Sequence, residues 1–290
     1  MSGPARARLG DGRLHLQHGP IDLVIDARGV PAEVETAYAQ AAARFDDVLE
    51  GLVSELPLLR APLGEVRPPL RGPVARRMLA ATWPHRATFV TPMAAVAGAV
   101  ADEVLAALVA GRALERACVN DGGDIAFYVS GNAHWDVGVV ENPLAPSVGA
   151  TLRIDAVCPA RGVATSGWRG RSHSLGIADA VTVMATDAAA ADVAATLIAN
   201  AVNIDHSAIE RKAANALQAD SDLGERPVTV AVGALPTSFI DAALDAGLAR
   251  ATALRARGLI HAAFLSLQGH SCACATAPLP APAGRTLIPA

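Results

Sequence analysis

Two periods of hydrophobic positions alternate along the chain. Residues 13–16 and 21–25 alternate apolar and polar around His18-Gly19-Pro20, which predicts a β-hairpin. From Pro31 the period lengthens. Val34, Tyr38, Ala41, Phe45, Val48, Leu49 and Leu52 recur at three- and four-residue steps, predicting one helix to about Ser54. Pro31 suits a first helical turn, and Glu33 and Glu35 favour its positive end. Residues 57–73 are proline-rich and predicted irregular. A short helix over 74–83 and a small-residue helix over 91–108 follow. Strands are predicted at 114–119, 125–129, 135–140 and 151–157, with turns at 120–124, 130–132 and 141–143. Residues 161–184 read as strand, tight turn and strand. Helices over 188–202, 207–216 and 236–251 alternate with strands over 228–232 and 259–267. No internal repeat is visible. Residues 277–290 are proline-rich and without period, and are expected to be disordered. Strands in consecutive hairpin-like groups predict an α+β fold: a mixed or antiparallel sheet covered by helices, not a doubly wound parallel sheet.

Composition narrows the function classes. A chain of 290 residues can bury about 75% of its unfolded surface, and residues 1–276 are expected to form one domain. Net charge is −4, so bulk charge points to no nucleic-acid partner. Lys212 is the single lysine, so a phosphate contact must come from arginine or backbone. No segment reads as a secretory signal. The longest apolar region, 93–109, is interrupted by Asp102 and Glu103, short of the roughly 20 apolar residues of a spanning helix. A cytoplasmic protein without membrane contact is expected, its four cysteines reduced. The small residues of 93–110 could also bury a second copy, making a homo-oligomer. His270, Cys272 and Cys274 could form a soft-metal or redox cluster, but C-x-C lacks zinc-knuckle spacing.

The stretch 161–183 holds the densest chemistry. Thr165, Ser166 and Gly167 end a short apolar run, surrounded by Arg161, Arg169, Arg171 and His173. Such a turn presents backbone N–H groups and hydroxyls in one concavity, and the arginines add forked donors that suit phosphate. A solvated glycine- and serine-rich loop is the competing reading. Further along, Asp192, Thr196 and Asn200 recur every four residues and share one helix face. Asp192 and Thr196 could offer a carboxylate and a hydroxyl to one hard cation. Asp192 as an acid near a helix N-terminus, with Thr196 packed, explains the same spacing. Gly122-Gly123 would let a ligand approach the backbone, with Asn120 or Asp124 bonding to it, or would simply turn a hairpin.

Three motifs in this order resemble the ApbE-like superfamily. Val119-Asn120-Asp121-Gly122-Gly123-Asp124-Ile125 is similar to its N-x-G-G-D-I turn, Ala164-Thr165-Ser166-Gly167 to its A-T-S-G, and Ala191-Asp192 with Thr196 to its A-D-x-x-x-T. A weaker match sets Gly98 and Asp102 against K-G-x-x-x-D. The resemblance covers residues 91–203 well. It implies a T-fold-related architecture and, from its characterised members, transfer of FMN from FAD to a protein threonine or serine with magnesium. Magnesium would then be held by the Ala164 carbonyl, Asp192 and Thr196. The flavin nucleotide (FAD or FMN) would meet Asp102, Asn120, Gly122, Gly123, Asp124, Thr165, Ser166, Gly167, Arg169 and Arg171. His173 would serve as general base or phosphate contact. Two departures bear on this. Ala97 stands where the transferases have a lysine, and His173 is followed by Ser174-Leu175-Gly176 instead of leading into D-P-x-T-G. A ligand-binding protein without chemistry is therefore the second expectation.

Overall fold

The structure is a computed structural model and describes residues 3–140 and 148–275. The expected turn at 141–143 and the tail 277–290 lie outside the described residues. The strands are β1 (Ala5–Arg8), β2 (Leu14–His18), β3 (Ile21–Gly29), β4 (Leu114–Asp121), β5 (Asp124–Val129), β6 (His134–Val140), β7 (Val148–Asp155), β8 (Gly162–Ser166), β9 (Ala180–Ala185), β10 (Ile209–Ala213), β11 (Pro227–Val232), β12 (Ala262–Leu267) and β13 (His270–Cys274). The helices are α1 (Pro31–Phe45), α2 (Val48–Ser54), α3 (Leu56–Leu59), α4 (Pro73–Thr82), α5 (Val96–Val109), α6 (Ala188–Ala201), α7 (Ala214–Leu217) and α8 (Thr237–Ala256).

Nine strands form one antiparallel sheet in the order β1-β2-β3-β4-β5-β8-β9-β12-β13. This is the expected α+β class. Alternation along each strand assigns the two faces. Leu16, Leu23, Ile25, Ala117 and Val119 pack under α1, α4 and α5. Val181, Val183 and Leu265 continue that layer under α6 and α8. Phe127, Val163 and Met184 point the other way and meet Trp135, Val137 and Ile154 of the β6–β7 ribbon.

Helix α6 organises the middle of the helical layer. Its alanines keep it slim, and glycines admit it. A Cβ on Gly98 would lie 2.3 Å from the Ala188 carbonyl oxygen, and one on Gly162 would lie 2.1 Å from the Asp187 carbonyl oxygen. Only glycine lets α5 and β8 approach the start of α6 so closely. With its preceding turn, α5 (Pro92–Val109) is long and apolar enough to cross a membrane by length and composition, more so than the sequence pattern implied. It nevertheless packs in the core, with Val100, Val104 and Leu108 fully buried.

Two predicted elements change. The helix expected from 31 to 54 breaks at Asp46 and Asp47, giving α1 and α2. The helix expected over 207–216 is mostly strand: β10 pairs antiparallel with β11, and only α7 is helical. Glu210, Lys212 and the alanines favour a helix locally, but the pairing partner lies about twenty residues away, where a local window does not look. Edge strands β1 and β13 were absent from the pattern reading.

Candidate functional site

Three segments meet around one cavity of about 310 Å³. The first is the β4–β5 turn, where Asp121 pairs with Asp124 across Gly122 and Gly123, both at positive φ. Asn120 Oδ1 accepts from the Gly123 N–H at 2.8 Å and fixes that turn. The second is the end of β8 and the loop after it. The Thr165 N–H donates to Asp124 Oδ1 at 3.3 Å, which ties the two segments together. The third is α6. One turn per residue along its face, Asp192, Thr196 and Asn200 all line the cavity, joined by Asp124, Ser166, Arg171 and His173.

Asp192 Oδ2 accepts from the Gly98 N–H at 3.1 Å, and the residue lines the cavity. Burial, with Asp121 and Asp102 nearby, pushes Asp192 up to about 7 against the Gly98 hydrogen bond. Burial likewise raises Asp121 to about 7, opposed by the Asp22 backbone and Arg171. Asp124 is raised well above the ordinary carboxylate range by burial, then by Asp192 and Asp121. Three acids therefore crowd one another with Arg171 as the nearby cation. Of these, Asp124 and Asp192 line the cavity, and a hard divalent cation held there by oxygen atoms would relieve their repulsion. Among the described residues no three His, Cys, Asp or Glu side chains form a metal-holding group, so hydroxyl, backbone or water oxygens must complete any such shell.

The remaining predicted contacts lie elsewhere. Asp102 accepts from the N–H groups of Ala188 and Ala189 at 3.0 and 2.9 Å, so it caps α6 instead of reaching the cavity. Arg169 pairs with Asp179 at 2.8 Å and stacks on Trp168. Gly167 is pressed against the Asp179 backbone, where a Cβ would lie 2.4 Å from its carbonyl oxygen, so packing requires its smallness. Thr165 Oγ1 bonds Thr182 Oγ1 at 2.9 Å across the strands. Ala164 is fully buried, pairs with Val183 in the sheet and is absent from the cavity wall. Asn120 and Gly122 line a second hollow of about 180 Å³ with Asp22, Val24 and Arg171. The space above Gly122 is filled by Arg171, whose Nη2 would lie 1.7 Å from a Cβ placed there. Gly123 has no heavy atom within 4 Å of such a Cβ and is open. His270 meets Asp241 at 3.3 Å on β13, and Cys272 and Cys274 are free thiols there.

Several wall residues carried no motif. Arg60 comes from the proline-rich segment, and Phe89, Thr91 and Met93 precede α5. Gln218, Asp220 and Asp222 belong to a stretch after α7 that lines the same cavity. Arg60 pairs with Asp220 at 2.7 Å, and the Thr91 hydroxyl donates to Asp222. Asp121 sat within a quoted motif, yet only its burial distinguishes it.

Comparison with known proteins gives the family. A family described as AbpE bacteria matches residues 6–273. The chain belongs to this family. A UPF0280 protein of Methanothermobacter thermautotrophicus is 39% identical over 169 residues, covering 56% of this chain and 61% of that protein. A second UPF0280 protein, from Methanocella arvoryzae, is 33% identical over 184 residues, covering 63% and 70%. The chain thus spans about three-fifths of the length of the first of these relatives. A histidine-to-glycine variant of the flavin transferase ApbE from Vibrio cholerae shares the fold, with TM-score 0.50 and 13% identity over 91% of this chain and 96% of that one.

Proposed function

We propose that this protein is a magnesium-dependent transferase or hydrolase acting on a flavin nucleotide or a related diphosphate or phosphoester. The observation that carries this reading is the convergence of Asp124, Asp192 and Thr196 with Arg171 and His173 on one cavity. Asp192, Asp124 and the Thr196 hydroxyl would hold the cation, which would supply neutralisation of diphosphate charge. Arg171 offers forked N–H donors to a phosphate oxygen. His173 stands on the same wall and would take the proton of the attacking hydroxyl, from an acceptor protein or from water. Phe89, Met93 and Leu197 give the cavity an apolar side suited to a flat ring. The name of the Vibrio cholerae neighbour supports flavin as the ring.

Incubation with FAD and magnesium is expected to release AMP, and Asp192→Ala to lower the rate by at least about a hundredfold. No turnover of FAD or other nucleotide diphosphates would exclude the catalytic reading. One observation favours a second reading. Ala97 lines the cavity where the resembling transferases place a lysine, which leaves one cation fewer for the phosphates. A protein that only binds a flavin- or pterin-like ring would show saturable binding without product.

A further inference from the structure

Between Ala191 and Asn200 every residue of α6 is buried except Asp192, Thr196 and Asn200, and those three line the cavity. The proposed function uses the first two. The third is gripped by the loop that follows His173. Asn200 Oδ1 accepts from the Leu175 N–H at 2.9 Å and from the hydroxyl of buried Ser174 at 3.3 Å. That hydroxyl accepts in turn from the Gly176 N–H at 3.2 Å, and the Ile177 N–H donates to the Val202 carbonyl at 2.8 Å. Gly176 lets the loop press against α6, since a Cβ there would sit 2.0 Å from the Ala199 carbonyl oxygen. These contacts orient the amide. A backbone N–H only donates, so the atom that meets Leu175 is the oxygen and the other end is the NH2 group. Two donors fill the oxygen's two lone pairs. Nδ2 keeps its N–H bonds free, with no hydrogen-bond partner among the described residues.

We infer that the Asn200 NH2 is a ligand-binding donor that selects for an acceptor oxygen, ring carbonyl or phosphoryl, one helical turn beyond the proposed cation. The inference rests on the flavin-nucleotide reading above and adds a contact which that reading leaves out. Four residues of α-helix rise by about 6 Å, so Asn200 stands that far past Thr196 along the wall. It therefore meets a different oxygen from one bound to a cation at Asp192 and Thr196. An NH2 group has only donors to offer, so it accepts an oxygen and rejects a group that also only donates. A ligand that covers this donor without an acceptor leaves it unmet, which costs more than the bond itself contributes. Because the amide oxygen is pinned by Ser174 and Leu175, the donor is preorganised and little side-chain freedom is lost on binding. Oxygen and nitrogen of one amide thus have separate tasks: the oxygen holds the loop, and the nitrogen meets the ligand.

The test is NMR of the full chain with isotope-labelled side-chain amides, titrated separately with riboflavin and with ADP plus magnesium. Riboflavin brings the ring without phosphate, and ADP the diphosphate without a flavin ring. The Asn200 NH2 resonances are expected to shift saturably with at least one of them, and the ligand that moves them identifies the oxygen as belonging to the flavin or to the phosphates. Asn200→Asp keeps an oxygen to hold the loop and replaces the donor with an acceptor. It should melt close to the unaltered protein yet bind the responding ligand at least about tenfold more weakly. Asn200→Ala removes the donor without adding charge and should weaken the same ligand. ADP binding that falls in Asn200→Asp but not in Asn200→Ala reflects charge repulsion alone and overturns the inference. Equal weakening of both ligands in Asn200→Ala, with none in Asn200→Asp, makes Asn200 a loop clamp only and overturns it too. So do Asn200 resonances that stay still while riboflavin, ADP or FAD saturates the protein. A protein that binds none of the three overturns the flavin-nucleotide reading itself, and this contact with it.

Discussion

Arg171 and Gly122 show how one pair of residues couples turn geometry to charge. Gly122 has φ +63°, where L side chains are strained by about 1–2 kcal/mol. Its missing side chain also leaves the place taken by the Arg171 guanidinium. Gly122→Ala is therefore expected to destabilise the fold by about 1–2 kcal/mol in urea titration. It should also displace Arg171 and weaken nucleotide binding, read by flavin fluorescence. Gly123→Ala makes a useful contrast, since the space around it is open. It should show backbone strain alone, with Arg171 undisturbed. The glycine pair was visible in the sequence as a hairpin turn. That one glycine seats an arginine fifty residues further on was not, because nothing local records the partner.

At the scale of elements, the contact between α5 and α6 decides where Asp192 stands. Gly98 lets the helices touch, its N–H holds Asp192, and Asp102 one turn later satisfies two N–H groups at the start of α6. Gly98→Ala should force the helices apart and cost about 1–3 kcal/mol, with loss of activity exceeding the loss of stability. Asp102→Ala should cost about 1–3 kcal/mol by leaving buried donors unmet, and Asp102→Asn less, as an amide oxygen still accepts. Thermal melts with matched activity assays separate the two effects. The shared face of Asp192, Thr196 and Asn200 was legible because helical period is a local property. The role of Asp102 was not, because an acid in an apolar helix has the same sequence signature whether it meets a ligand or a neighbouring helix. Strand β10 was misread for the related reason that its partner β11 lies outside any local window.

For the whole molecule, the acid cluster sets a pH dependence. Burial raises Asp121 and Asp192 to about 7 from an unfolded value near 3.8, so the folded chain holds more protons than the unfolded chain between those limits. Stability from this source is complete below about 4 and is lost as pH rises through about 7, at about 1.4 kcal/mol per pH unit for each extra proton held. Metal-free protein in a chelator should therefore melt higher at pH 6 than at pH 8, other groups being equal. Asp121→Asn should flatten that slope and raise the melting temperature at pH 8. Magnesium should reverse the trend, binding more tightly as pH rises because it competes with those protons. A melting profile that is flat between pH 6 and 8 with and without magnesium would mean that these acids share neither protons nor a cation.

Sequence by itself determined the α+β class, most helices and strands of the sheet, the Gly122-Gly123 turn and the cavity-facing side of α6. Each of these follows from a period of two or 3.6 residues or from the backbone freedom of glycine, which a short window contains. Tertiary structure alone decided that Asp102, Gly167 and Arg169 serve packing and that Arg171 bridges two hollows. It alone brought Arg60, Asp220 and Asp222 to the wall and made β10 a strand. Those outcomes depend on which distant groups meet once the sheet is assembled, and burial then changes the charge state and the available partners of the same side chains.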